Sequence, residues 1–152
     1  MTHTNIAKAL TAGLLAGYGG QTEFINVTRG SFPLKSSHYQ KDNLVYHDEW
    51  NNNGGQEIVK FKDETFTRVY AGGANTKTVS ADLIIQKLIY FIKQLGDKTR
   101  LFSVAKMSDG DWQYNYQILD QDQDLDITVG KEIITFKDQI VFNHVFVLTP
   151  VT

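Results

Sequence analysis

Four ionisable side chains stand at matched places in this sequence: Glu57 and Arg68 in one stretch, Glu132 and His144 in another. His144 is the natural acid–base group among them, because an unperturbed histidine titrates near neutrality. With Glu132 to orient it, His144 could act as the base of a small lyase, isomerase or hydrolase. A buried glutamate–arginine pair could instead orient the polar end of a bound molecule. Asp48 in the first stretch and Tyr116 in the second occupy a further matched place. The plainer alternative is internal pairing, Glu57 with Arg68 and Glu132 with His144, since a buried charge costs several kcal/mol unless paired. The glutamates could also lean into solvent at the rim of a sheet.

Other chemistries find less support. There is no cysteine, which excludes disulfides, zinc-thiolate sites and thiol nucleophiles. His3, His38, His47 and His144 never fall at metal-ligand spacing, so no metal site and no cofactor are expected. Asp120 to Asp126 begins like a calcium loop, but Leu125 and Lys131 stand where Gly and Glu are needed, so a solvated hairpin tip is expected. Gly17-Tyr-Gly-Gly20 follows a helix end, and Tyr70-Ala-Gly-Gly73 precedes a helix without the Lys-Ser/Thr of a phosphate loop. No G-x-S-x-G elbow occurs. Asp48 and Glu49 are adjacent and so point to opposite faces of a strand, which excludes them as a glycosidase pair. The net charge of −2 carries no nucleic-acid footprint. No apolar run reaches the roughly 18 residues of a membrane span, and Lys8 interrupts the apolar N-terminal stretch where a secretion signal would have its core. A cytoplasmic protein is expected.

The elements that must position these groups are written twice. Gly55 to Tyr70 reappears 75 residues later as Gly130 to Phe146, with six of the first nine positions identical. One extra residue in the second turn brings Phe66, Val69 and Tyr70 onto Phe142, Val145 and Phe146. Leu44-Val-Tyr-His-Asp48 likewise matches Trp112-Gln-Tyr-Asn-Tyr116. Helical spacing places one helix over Asn5–Ala16, capped by Thr4 and stopped by a left-handed Gly17, and another over Ala81–Leu95 between Ser80 and Gly96. Strands are expected at Thr22–Thr28, Leu44–Trp50, Gln56–Lys62 and Thr65–Ala71, with residues 29–42 a long loop. In the second half they are expected at Arg100–Lys106, Asp111–Leu119, Lys131–Lys137 and Ile140–Leu148, with an acidic loop over 119–129. This is an α+β chain: a single domain over 1–152 built of two α-β-β-β-β halves, about 5–73 and 79–148. Consecutive strands are antiparallel, and the halves are related by a pseudo-twofold axis, with both helices on one sheet face.

Side chains alternate across a strand, so parity assigns the faces. One face carries Leu44, Tyr46, Asp48, Trp50, Glu57, Val59, Phe61, Phe66, Arg68 and Tyr70. Its second-half equivalents are Trp112, Tyr114, Tyr116, Ile118, Glu132, Ile134, Phe136, Phe142, His144 and Phe146. The other face, with His47, Glu49, Lys60 and Thr67, is more polar. The apolar face must therefore lie under the helices. A cleft between helix and sheet would be lined by Tyr46, Trp50, Tyr70, Trp112, Tyr114 and Tyr116, with Asp48, Glu57, Arg68, Glu132 and His144 giving orientation.

The repeated unit is an aromatic strand, then Gly55-Gln-Glu-Ile-Val-Lys-Phe-Lys-Asp63, then an aromatic strand ending in Tyr70-Ala-Gly-Gly73. Over residues 14–148 it resembles a group of small uncharacterised bacterial domains, some of which follow a helix-turn-helix segment. This chain has no such segment, since its first helix is followed by a strand. The resemblance implies a sensor or effector-binding module and carries over no site residues. The leading expectation is thus a non-enzymatic small-molecule-binding or regulatory module. The alternatives are the His144 enzyme and a structural protein forming a homodimer through sheet edges or the His47 face.

Overall fold

The computed structural model describes residues 3–17, 24–99 and 104–151. Among them the chain runs α1 (His3–Ala16), β1 (Ile25–Arg29), β2 (Phe32–Lys41), β3 (Leu44–Asn51), β4 (Gly54–Phe61) and β5 (Glu64–Ala74). It continues with α2 (Ala81–Leu95), a 3-10 turn (Gly96–Thr99), β6 (Ala105–Asp109), β7 (Trp112–Asp122), β8 (Ile127–Phe136) and β9 (Gln139–Pro150). All nine strands join one antiparallel sheet in the order β1-β2-β3-β4-β5-β9-β8-β7-β6. The α+β class is therefore correct.

Helix α2 matches its sequence signals. Ser80 caps it by accepting a hydrogen bond from the Leu83 amide, and Gly96 ends it at φ 59°, its N–H donating to the Ile92 carbonyl. Its apolar stripe buries Ile84, Leu88, Phe91 and Ile92. Helix α1 differs from expectation at both ends. It starts at His3, so Thr4 lies inside it rather than ahead of it. Gly17 does not take the left-handed conformation; its amide donates to the Gly13 carbonyl instead. Gly13 is required by close approach to β3. A Cβ there would come within 2.1 Å of the Tyr46 ring.

The first half contains a strand that the turn-forming residues of 29–42 hide. Ser31 and Gly30 turn β1 into β2, Pro33 pairs with Thr28 near the sheet edge, and β2 runs on to Lys41. That half has five strands, not four. The acidic loop is also shorter than expected: β7 extends to Asp122 and β8 begins at Ile127, leaving a tight tip in which Asp122 accepts from the amides of Asp124 and Leu125. The tip is exposed, as a solvated hairpin would be. The extra residue of the second hairpin is not in its turn. Lys137-Asp138 is a two-residue turn with positive φ at both positions, the twin of Lys62-Asp63 in span. The added residue is Val141, a bulge in β9 that is itself fully buried beside Phe142. The expected strands at Thr22 and Arg100 start in residues outside those described.

The faces follow parity. Tyr46, Asp48, Trp50, Glu57, Val59, Phe66 and Arg68 are buried, as are Trp112, Tyr114, Tyr116, Glu132, Ile134, Phe142 and Phe146. The apolar members, apart from Trp50, share one cluster with Ile6, Leu10 and Leu14 of α1 and with the α2 stripe. Outward positions hold an Arg29–Glu49–His47 network. The Arg29 hydrogen bond is the main reason the Glu49 carboxyl sits below its usual range. Among the described residues, no helix is long and apolar enough to cross a membrane.

Candidate ligand-binding site

Register brings the ionisable residues together in two rows on the inner face. Asp48, Glu57 and Arg68 lie directly opposite one another across β3, β4 and β5. Tyr116, Glu132 and His144 do the same across β7, β8 and β9, and Gly72 of β5 completes that row. Because β5 pairs with β9, the two rows adjoin at the centre of the sheet.

A cavity of about 650 Å³ opens above these rows. Its apolar walls come from Ile85, Leu88, Ile89 and Ile92 of α2, from Leu14 of α1 and from Phe142. Exposed Lys35, Asn51, Asn52 and Asn53 stand at its outer end. Its inner end holds Asp48, Glu57, Arg68, Glu132, Tyr70 and His144, the first four each 3% exposed or less.

These groups are joined by short contacts. Arg68 Nη1 donates to Glu57 Oε2 at 2.7 Å, and the Tyr46 hydroxyl donates to Glu57 Oε1 at 2.7 Å. The Tyr114 hydroxyl donates to Glu132 Oε1 at 2.5 Å. Arg68 Nη2 and His144 Nδ1 lie 3.9 Å and 3.7 Å from Glu132 Oε2. Tyr70 donates to Asp48 at 3.0 Å. The guanidinium of Arg68 sits 4.5 Å from the centre of the Phe146 ring and 5.2 Å from that of Tyr70. The expected Glu57–Arg68 pair is present, Glu132 stands within ion-pair reach of His144 as expected and of Arg68 as well, and neither glutamate leans into solvent.

Charge in this environment is strongly biased. Burial works against the Arg68 cation, but the negative charges of Glu57 and Glu132 and the Tyr116 phenol outweigh it, so its proton is held more tightly than usual. Burial, and then the Asp48 carboxylate, push the Tyr70 phenol above its ordinary value of 10.0. A raised phenol contributes stability that is whole below about pH 10 and is lost as pH climbs, because the unfolded chain releases the proton first. Alkaline unfolding followed by circular dichroism will therefore show a shallower loss of stability above about pH 10 in Tyr70→Phe than in the parent. Equal slopes would remove Tyr70 from this role.

Parity places the site's ionisable residues correctly but misplaces much of its aromatic lining. Trp50 and Tyr70 line the cavity. Tyr46 and Tyr114 do not; they lie in the core and hold the two glutamates through their hydroxyls. Tyr116 stacks on Phe146, and Trp112 packs on Phe136. Sequence reasoning also misses Ile85 and Ile89, which flank the buried stripe of α2 one turn apart, a spacing that could have flagged them. Among the described residues, no group of three or more His, Cys, Asp or Glu side chains could hold a metal ion. Comparison with protein-family models, curated proteins and solved structures finds no match for this chain.

Proposed function

We propose that this chain is a small-molecule-binding module whose site is the cavity between α2 and the centre of the sheet. The observation that carries this reading is the union of apolar walls with a deeply buried cluster of ionisable groups at one end, the usual make-up of a small-molecule site. A sensor or effector-binding role, which its repeat's resemblance to small uncharacterised bacterial domains implies, is the fitting use of such a module. We propose further that the site arose by duplication of one helix-and-strands unit. Two features support this. The strand order mirrors itself about the β5–β9 pair, and Tyr70 faces Phe146, its own counterpart, at that seam. The Tyr46–Glu57 bond also has its twin in Tyr114–Glu132. Both helices would then cover one face, and the binding cavity would straddle the seam between the copies.

One observation favours acid–base catalysis as a second reading: His144, partly exposed, and Glu132 both line the cavity. At 3.7 Å the two are not hydrogen-bonded, so the binding reading is preferred.

Ile89→Trp tests the site by filling it from the wall. A metabolite library screened by thermal shift will contain compounds that stabilise the parent. Saturation a hundredfold above Kd gives about 2.7 kcal/mol, or roughly 5–10 °C for a domain of this size. The same compounds will leave a folded Ile89→Trp protein unshifted. Equal shifts in both proteins, or none in the parent, would refute the assignment.

A further inference from the structure

We infer that the molecule bound here carries an uncharged amide group, a lactam, ureide or carboxamide, on an apolar body; this rests on the binding reading above. Three atoms from three strands converge at the inner end of the cavity: Arg68 Nη2, Glu132 Oε2 and His144 Nδ1. The separations of 3.9 Å and 3.7 Å from Glu132 Oε2 exceed hydrogen-bonding distance. Arg68 is only 3% exposed, yet its Nε and Nη2 have no hydrogen-bond partner among the described residues. Leaving buried donors unsatisfied costs about 1–3 kcal/mol, more when they are charged. Nη1 is already committed to Glu57. The Nε–Nη2 edge of a guanidinium presents two parallel donors, so this side of the cavity selects an acceptor.

The surrounding charge decides which acceptor. Glu57 and Glu132 place two carboxylates against one guanidinium. A ligand carboxylate would add a third negative charge where water scarcely reaches, at high cost. A protonated amine has the favourable sign but offers the Arg68 edge no acceptor. An amide meets both demands on one edge: its carbonyl accepts from Arg68 while its N–H donates to Glu132 Oε2. A donor and an acceptor set side by side, too far apart to bond each other, are the complement of that edge. His144 can donate to the same carbonyl or accept from the same N–H, according to its tautomer. The apolar body then runs outward against Phe142 and Ile89.

Benzamide, benzoate and benzylamine share one ring and differ only in the polar group, so they test the inference directly. Each is titrated into the intact chain with amide and arginine Nε–H resonances followed by NMR. Benzamide is expected to bind roughly tenfold more tightly than either of the others and to move the Arg68 Nε–H signal. Arg68→Lys, which keeps the charge and loses the edge, is expected to erase that preference. Glu132→Gln, which removes one negative charge, is expected to improve benzoate relative to benzamide. Benzoate or benzylamine binding as well as benzamide would overturn the amide inference, as would a preference that survives Arg68→Lys. Failure of all three probes to perturb cavity residues would overturn it as well. In that event, library shifts lost in Ile89→Trp would show that the binding reading survives without it, and their absence would sink both.

Discussion

Arg68→Ala is expected to destabilise the fold by about 3–5 kcal/mol, the range for removing one partner of a buried ion pair. The side chain is 3% exposed, and its guanidinium forms a buried ion pair with Glu57. Truncation leaves Glu57 and Glu132 at the same depth without that counter-charge, and it opens a void against the Phe146 and Tyr70 rings. Urea unfolding of the parent and variant measures the loss. Arg68→Met restores much of the volume without the charge, so it should recover only the packing share. Adding Glu57→Gln to Arg68→Met removes the carboxylate that has lost its Arg68 partner, and the pair should show a coupling of about 0.5–3 kcal/mol relative to the single changes. Simple additivity would mean that the pair contributes nothing through charge.

The features legible in the sequence are those governed by local periodicity. Strict alternation in Leu44–Trp50 and in Trp112–Ile118 determines which side chains point inward, and a buried face tolerates no one-residue slip. For that reason parity alone assigns Asp48, Glu57, Arg68, Glu132 and His144 to one face. Whatever depends on a neighbouring element is hidden. Strand β2 escapes detection because the inward position at its centre, Ser37 opposite Asp48, is small and polar. It lies under the end of α1, where a Cβ on Gly17 would touch the Ser37 hydroxyl at 2.5 Å. Close helix approach there excludes the large apolar residues by which a strand is recognised. The split of aromatics between core and cavity depends on where each helix crosses the sheet. Tyr46 meets Gly13 of α1, while Tyr70, at the central seam, is left facing open space. No spacing within β3 or β5 records that crossing point.

The central seam also carries the second large expected effect. Phe146 is 1% exposed and stacks on Tyr116 at 5.2 Å with 19° between the rings. The same ring also lies 4.5 Å from the Arg68 guanidinium, so it joins the aromatic core to the charged end of the cavity. Phe146→Ala is expected to cost about 3–5 kcal/mol, because a buried ring is lost and rigid strands on both sides prevent collapse. Val147→Ala, one residue on but 41% exposed on the other face, should stay within about 0.5 kcal/mol. The stronger test uses Gly130, which faces Phe146 across β8 and β9. A Cβ at Gly130 would come within 2.1 Å of the Phe146 ring, so Gly130→Ala alone should destabilise by about 1–3 kcal/mol through overpacking. With the ring already truncated, the methyl loses its closest clash but still meets the Gln117 carbonyl oxygen at 2.8 Å. The cost of Gly130→Ala should therefore fall, without vanishing, between the parent and the Phe146→Ala background, as measured by denaturant midpoints. A methyl equally costly in both would mean that Phe146 does not fill the space that glycine leaves. The ring would then not be what holds Arg68 in place.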